Sequence, residues 1–161
     1  MEDTLRTVTS DSPLELRARA LRYLARREYS RAELAKKLAS HAESSQVLVQ
    51  LLDSLETRKQ LSDERYAEVR AHQLSRKYGT DRIRLDLHAT GVAEEISERI
   101  IAELASAELV RATEILQRKY GRSAVTAEEL AQRSRFLRQR GFPHEIIRCA
   151  LGASSASRYR R

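Results

Sequence analysis

Cysteine occurs once in this 161-residue chain, proline twice and tryptophan never, and aromatic residues make up only 5%. The lone Cys149 excludes an internal disulfide and any cysteine-built metal site. No stretch approaches the ~18–20 consecutive apolar residues of a membrane span, and no apolar run follows Met1 as in a signal peptide. The expectation is a cytoplasmic protein without a membrane partner. Scarce aromatics and small residues such as Ala18, Ala25, Ala67 and Ala71 point to thin helix–helix layers rather than one large core. No strand pattern is present, so the expected class is all-α.

Charge is abundant, with charged residues at 33%, but its excess is local. Up to Leu130, 22 Lys and Arg balance 22 Asp and Glu. From Ala131 on there are eight arginines and one acid, Glu145, so the whole net charge of +7 sits in the last fifth. A basic end on a neutral body suits a polyanionic partner, though a charged surface also serves solubility alone.

Internal similarity organises the chain. Shifting Leu61–Leu104 back by about 49 positions lays Tyr78-Gly79 on Tyr29-Ser30, Ile83 on Leu34 and Leu87 on Leu38. Shifting forward by about 42 lays Arg76-Lys77-Tyr78-Gly79 on Arg118-Lys119-Tyr120-Gly121, and by about 50 lays Gly91-Val92 on Gly141-Phe142. The expectation is three tandem three-helix units at residues 12–60, 61–104 and 105–151, in an elongated, curved array. Units of roughly 50 residues bury too little alone and should lean on their neighbours.

Residues 1–11 lack periodicity and are expected to be disordered. Ser12-Pro13-Leu14-Glu15 is a capped helix start, followed by a predicted apolar stripe of Leu14, Ala18, Leu21 and Ala25. Arg19, Arg22 and Arg26 form a basic stripe beside it. Capping boxes recur at Ser30–Glu33 and Thr126–Glu129, and a third helix spans 45–57. In the middle copy Ala67, Ala71, Leu74 and Tyr78 face inward, with Gly79 and Gly91 ending helices where a positive φ is needed. The last copy places Leu109, Leu116 and Tyr120 inward, then a helix over 130–140 with Leu130, Ser134 and Leu137 inward. The final helix runs from Pro143 to about Leu151. Residues 152–161 are expected to form a basic, disordered tail.

Nothing resembles an active site. His41, His72, His88 and His144 share no ligand spacing, and no Gly-rich loop with a Lys can cradle a phosphate. The acidic pairs Asp63-Glu64, Glu94-Glu95 and Glu128-Glu129 each open a helix, where they favour the positive end of its dipole. Cys149 lacks a nucleophile signature and reads as a semi-buried thiol. No catalytic residue, metal or cofactor is expected.

Binding has more to rest on. Arg26-Arg27, Arg76-Lys77 and Arg118-Lys119 precede the end of each copy's first helix, with Arg22 nearby. Such pairs either complement the helix dipole or form a track along the repeat. Arg133, Arg135, Arg138 and Arg140 surround one short helix, with Phe136 bracketed by Arg133 and Arg140. That cluster either grips phosphates or an acidic groove, or rims a core aromatic.

The residues Leu61-Ser62-Asp63-Glu64-Arg65-Tyr66-Ala67, Tyr78-Gly79, Ile83, Leu87 and Gly91-Val92 resemble the signature of the RecX regulatory proteins. Ser30–Leu34 with Lys37-Leu38 is similar to that family's first repeat, and Arg135–Leu137 with Arg140–Phe142 and Ile146 to its last. Val92 stands where isoleucine is common. The resemblance implies a monomeric, non-enzymatic modulator of the RecA nucleoprotein filament in DNA repair and the SOS response. Such a protein restrains recombinase and coprotease activities while contacting single-stranded DNA within the filament, or free DNA. An alternative from another class is a sequence-specific or nonspecific DNA-binding protein of helix-turn-helix type. An enzyme acting on DNA ends would need clustered carboxylates, and the acids are accounted for at helix starts.

Overall fold

The computed structural model describes residues 10–122, 124 and 126–156, side chains at 153–156 excepted. Nine helices and no strands occur among the described residues: α1 Pro13–Leu24, α2 Arg31–Leu38, α3 Ser45–Thr57, α4 Asp63–Ser75, α5 Thr80–Ala89, α6 Glu94–Ala105, α7 Glu108–Tyr120, α8 Ala127–Gln139 and α9 His144–Ala156. The fold is all-α, in three tandem sets of three helices. The expectations for residues 1–9 and 157–161 lie outside the described residues.

Local chemistry starts these helices. Ser12 and Glu15 close a reciprocal capping box on α1, with Pro13 in its first turn, and Thr126 and Glu129 do the same on α8. Ser30 caps α2 by accepting from the Glu33 N–H, but the Glu33 carboxylate pairs with Arg27 instead of closing the box. The acidic pairs of α4, α6 and α8 lie in their first turns.

The chain divides into two compact units, the first running to Tyr66 and taking in Thr90–Val92, the second comprising Ala67–Ala89 and the chain from Ala93 on. In the first, Leu16, Ala20, Tyr29, Leu34, Leu38, Leu52, Leu55 and Leu61 form the core. In the second, Ala112, Ile115, Leu116, Leu137, Phe142, Ile147 and Ala150 form one cluster, with α7 and α8 both packed on α9. Ala67, Ala71, Ile83, Leu87, Ile100 and Ile101 are also buried there.

One contact recurs in both units. In the first, the buried Ser30 hydroxyl at the start of α2 donates to the Thr90 carbonyl at 2.6 Å. A side chain on Gly91 (φ +79°) would meet Ala32 Cβ at 2.5 Å. In the second, the Gly79 N–H at the start of α5 donates to the Arg140 carbonyl at 2.9 Å, and Asp81 N–H donates to Gly141 O at 3.1 Å. Gly141 (φ +74°) lies against Arg82 in the first turn of α5. The second helix of each of the first two copies thus begins on the glycine turn that ends the second helix of the next copy. This is the mutual support that units of this size require.

The structure corrects several expectations. The inward stripe of α1 is Leu16 and Ala20, with the expected Leu21 and also Tyr23 and Leu24 partly buried against the same core, whereas Leu14 is 80% exposed and Ala18 and Ala25 face solvent. Alanine is compatible with either face, so two stripes at helical spacing competed. Gly79 has no positive φ; it is glycine because a Cβ would meet Gly141 O at 2.3 Å. Leu109 and Leu130 are exposed, and the residue buried at the start of α7 is Glu108. Its carboxylate accepts from the Thr80 N–H at 2.7 Å and the Thr80 hydroxyl at 2.9 Å, capping α5 from another helix. Asp11 is anchored: its N–H donates to the His41 carbonyl and its carboxylate pairs with Arg19. The last helix continues through Ala156, past the expected end at Leu151, and Cys149 is exposed.

Candidate nucleic-acid interface

Three helices of the second unit end around one groove. The chain leaves α4 through Arg76-Lys77-Tyr78, α7 ends with Arg118 and Lys119 in its last turn, and α8 is closed by Arg140. These residues, with Ile115 and Phe136, line a groove of about 470 Å³ that no acidic residue enters. Sequence spacing had marked all five cations, and here they share a single surface.

Magnitudes separate the two readings of those cations. Each helix C-terminus carries about −0.5 of an elementary charge, so three ends ask for roughly 1.5 positive charges. Five are present, leaving an excess of about +3.5 that dipole complementation does not require. Among the described residues neither Arg76, Lys77, Arg118 nor Lys119 is in an ion pair, and the Arg140 guanidinium donates to the Lys77 carbonyl, at 2.8 Å, rather than to an acid.

Aromatic rings hold part of this charge in place. Lys119 Nζ lies 3.9 Å from the Phe136 ring centre and the Arg140 guanidinium 4.6 Å from it. Phe136 packs edge-on against Tyr120 at 5.8 Å. Phe136 is thus flanked by Lys119 and Arg140, not by Arg133 and Arg140 as the helical wheel implied. Arg133 is 4% exposed, donates to the Arg122 carbonyl at 2.6 Å and sits 4.7 Å from the Tyr120 ring. It is a buried strut. Arg135 and Arg138 are exposed on α8 but do not line the groove.

The first unit treats its basic residues differently. Arg22 and Arg26 are exposed, but Arg27 bonds Glu33 at 3.0 Å and the Glu28 carbonyl at 2.8 Å, and lies 3.6 Å over Tyr29. Burial works against the Arg27 charge, yet the Glu33 hydrogen bond and field prevail and raise its pKa. The 49-residue shift explains the contrast. Arg27 corresponds to Arg76, but Glu28 and Glu33 correspond to Lys77 and Arg82. Two acids that neutralise the first copy are two cations in the second.

Tyr78 and Ile115 are the groove residues that were not foreseen as site residues. Tyr78 reads as an inward aromatic, and the partial exposure of its ring on the groove became visible only with the fold. Among the described residues no group of three or more His, Cys, Asp or Glu could hold a metal ion, and no helix is long and apolar enough to cross a membrane.

Models of the first, second and third three-helix domains of RecX match residues 17–55, 62–104 and 106–151. The regulatory protein RecX of Herbaspirillum seropedicae is 43% identical over 136 residues, which cover 84% of this chain and 88% of that protein. The chain belongs to the RecX family. The regulatory protein RecX of Neisseria meningitidis serogroup B is 38% identical over the same shares of both chains. Among solved structures, RecX from Lactobacillus salivarius has the same fold with a TM-score of 0.79 at 19% identity, covering 89% of this chain and 97% of its own. The RecX relatives carry the description of regulatory proteins.

Proposed function

We propose that this RecX-family chain binds the RecA nucleoprotein filament and restrains its recombinase and coprotease activities, acting as a cytoplasmic monomer without catalysis of its own. The observation that carries the reading is the acid-free groove of five cations, in a chain whose relatives are described as regulatory proteins. A polyanion such as the filament's DNA supplies the charge that this groove lacks. Phosphate contacts would position the protein without reading sequence, which suits a regulator of a filament that forms on any sequence. Exposed Arg22, Arg26, Arg135 and Arg138 are further candidates for phosphate or protein contact. Arg133 is withdrawn, because its guanidinium is buried and engaged.

Titrating the protein into RecA on single-stranded DNA, with ATP hydrolysis and strand exchange as readouts, tests this. A dose-dependent fall supports filament restraint, and a fall at strongly substoichiometric protein favours capping of filament ends over coating of the groove. Unchanged activity together with tight binding to naked duplex returns the chain to the helix-turn-helix alternative.

A further inference from the structure

The same groove says more about the form of its ligand. We propose that it is a single-strand clamp in which the Tyr78 ring stacks on one base while Arg76, Arg118 and Arg140 hold the flanking phosphates. This deepens the polyanion reading above and rests on it.

Charge alone does not distinguish a strand from a duplex, since both present phosphates. The rings do. Phe136 is already occupied, with Lys119 at 3.9 Å, Arg140 at 4.6 Å and the Tyr120 edge at 5.8 Å. Its role is to pin two cations at the groove wall. Tyr78 is partly exposed on the same wall, and its nearest guanidiniums, Arg82 and Arg140, stand 6.0 Å from the ring centre. Both contacts sit at the outer limit of the cation–π range, so a stacked base can displace them from the ring face. Only an unstacked base reaches such a face, because a duplex keeps its rings inside the helix. The volume of about 470 Å³ falls in the range of one small ligand and suits a nucleotide or two. Guanidiniums also take phosphates bidentately, which fixes the strand beside the ring. An acidic peptide would satisfy the cations but leave Tyr78 without a partner.

The test uses the full chain and naked DNA, without any filament. Anisotropy of a labelled oligothymidylate and of a duplex of equal length is followed across a salt series. The single strand is expected to bind more tightly. Tyr78→Leu should weaken it about tenfold, within the range of one lost stacking contact, while Tyr78→Phe leaves it unchanged. Arg76→Ala with Arg118→Ala, both exposed positions, should reduce the slope of log affinity against log salt by about 1.4. Irradiating unaltered protein with a bromodeoxyuridine-substituted strand should cross-link the peptide carrying Tyr78, a readout independent of any variant's folding.

Equal affinity for duplex, a Tyr78→Leu variant that binds normally, cross-links only elsewhere, or displacement by oligoglutamate as effective as by oligothymidylate would each overturn the clamp. Single-strand binding at Tyr78 with no effect on RecA would sustain the clamp and sink the filament reading. Filament restraint without single-strand binding would do the reverse.

Discussion

Gly79→Ala tests the contact on which the second unit is built. The new methyl would meet Gly141 O at 2.3 Å, Phe142 Cα at 2.5 Å and Gly141 C at 2.6 Å, all backbone atoms that no rotamer change can move. The start of α5 must therefore withdraw from the glycine turn after α8. Overpacking of this kind costs about 1–3 kcal/mol. Withdrawal also weakens the Gly79–Arg140 and Asp81–Gly141 backbone hydrogen bonds, each contributing about 0.5–1.5 kcal/mol net. The expected loss is about 2–5 kcal/mol, a large share of the ~5–15 kcal/mol that holds a typical domain together. At roughly 2–4 °C per kcal/mol for a chain of this size, the melting temperature should fall by about 4–20 °C. Urea unfolding followed by far-UV circular dichroism gives the free energy directly. Gly121→Ala is the internal comparison: Gly121 has φ +66° but nothing within 4 Å of its would-be Cβ, so only the left-handed penalty of about 1–2 kcal/mol applies. If Gly79→Ala costs no more than Gly121→Ala, the close backbone approach is not what makes position 79 glycine.

Glu108→Ala should destabilise by about 3–5 kcal/mol in the same urea assay, because it removes two charge-assisted hydrogen bonds and leaves the buried Thr80 N–H and hydroxyl unpaired. Arg111→Met should change stability by no more than about 1 kcal/mol in the same assay: it removes Nε and Nη2, which are buried without partners among the described residues, but it also gives up the Nη1–H donated to the Leu104 carbonyl at 2.9 Å. The Asp11 carboxyl is held below its ordinary value of 3.8, first by the Arg19 hydrogen bond. Its folded pKa is depressed, so its contribution is complete above the ordinary Asp range and is lost as pH falls through the lower folded value. A carboxylate NMR titration should show this, and Arg19→Gln should return the midpoint to the ordinary range. Lys77→Glu with Arg82→Glu should abolish single-strand binding by anisotropy while leaving the helical signal intact, since residue 77 is exposed and residue 82 is at the surface.

Most of the fold was legible because its signals are local. Caps, glycine turns and the apolar positions of α3 and α4 follow from neighbours within one or two turns, and the offset between copies multiplies each signal. Three of the failures share a cause: each depends on a partner outside its own helix. Glu108 looks like an acid complementing its own helix, and only Thr80, 28 residues earlier, makes it a buried cap. Gly79 looks like a helix terminator, and only Gly141, 62 residues later, shows that it clears a path for another backbone. Arg133 looks like part of a binding cluster until the Arg122 carbonyl and the Tyr120 ring claim it.

The groove was half legible for a related reason. Equivalence between copies drew attention to Arg26-Arg27, Arg76-Lys77 and Arg118-Lys119 as a set, and so treated them as alike. Differences between the copies are informative beside the shared pairs, because the shared buried positions are those that stacking demands. At the place of Glu28 and Glu33, which engage Arg65 and Arg27 in the first unit, the second copy carries Lys77 and Arg82. Stability alone gives no reason for that reversal: like charges close together repel, and the first copy shows that the same helix turn accommodates acids well. A ligand of opposite charge does give one. The excess positive charge is tolerated where the free protein gains nothing from it, which is the signature of a surface shaped for a polyanion.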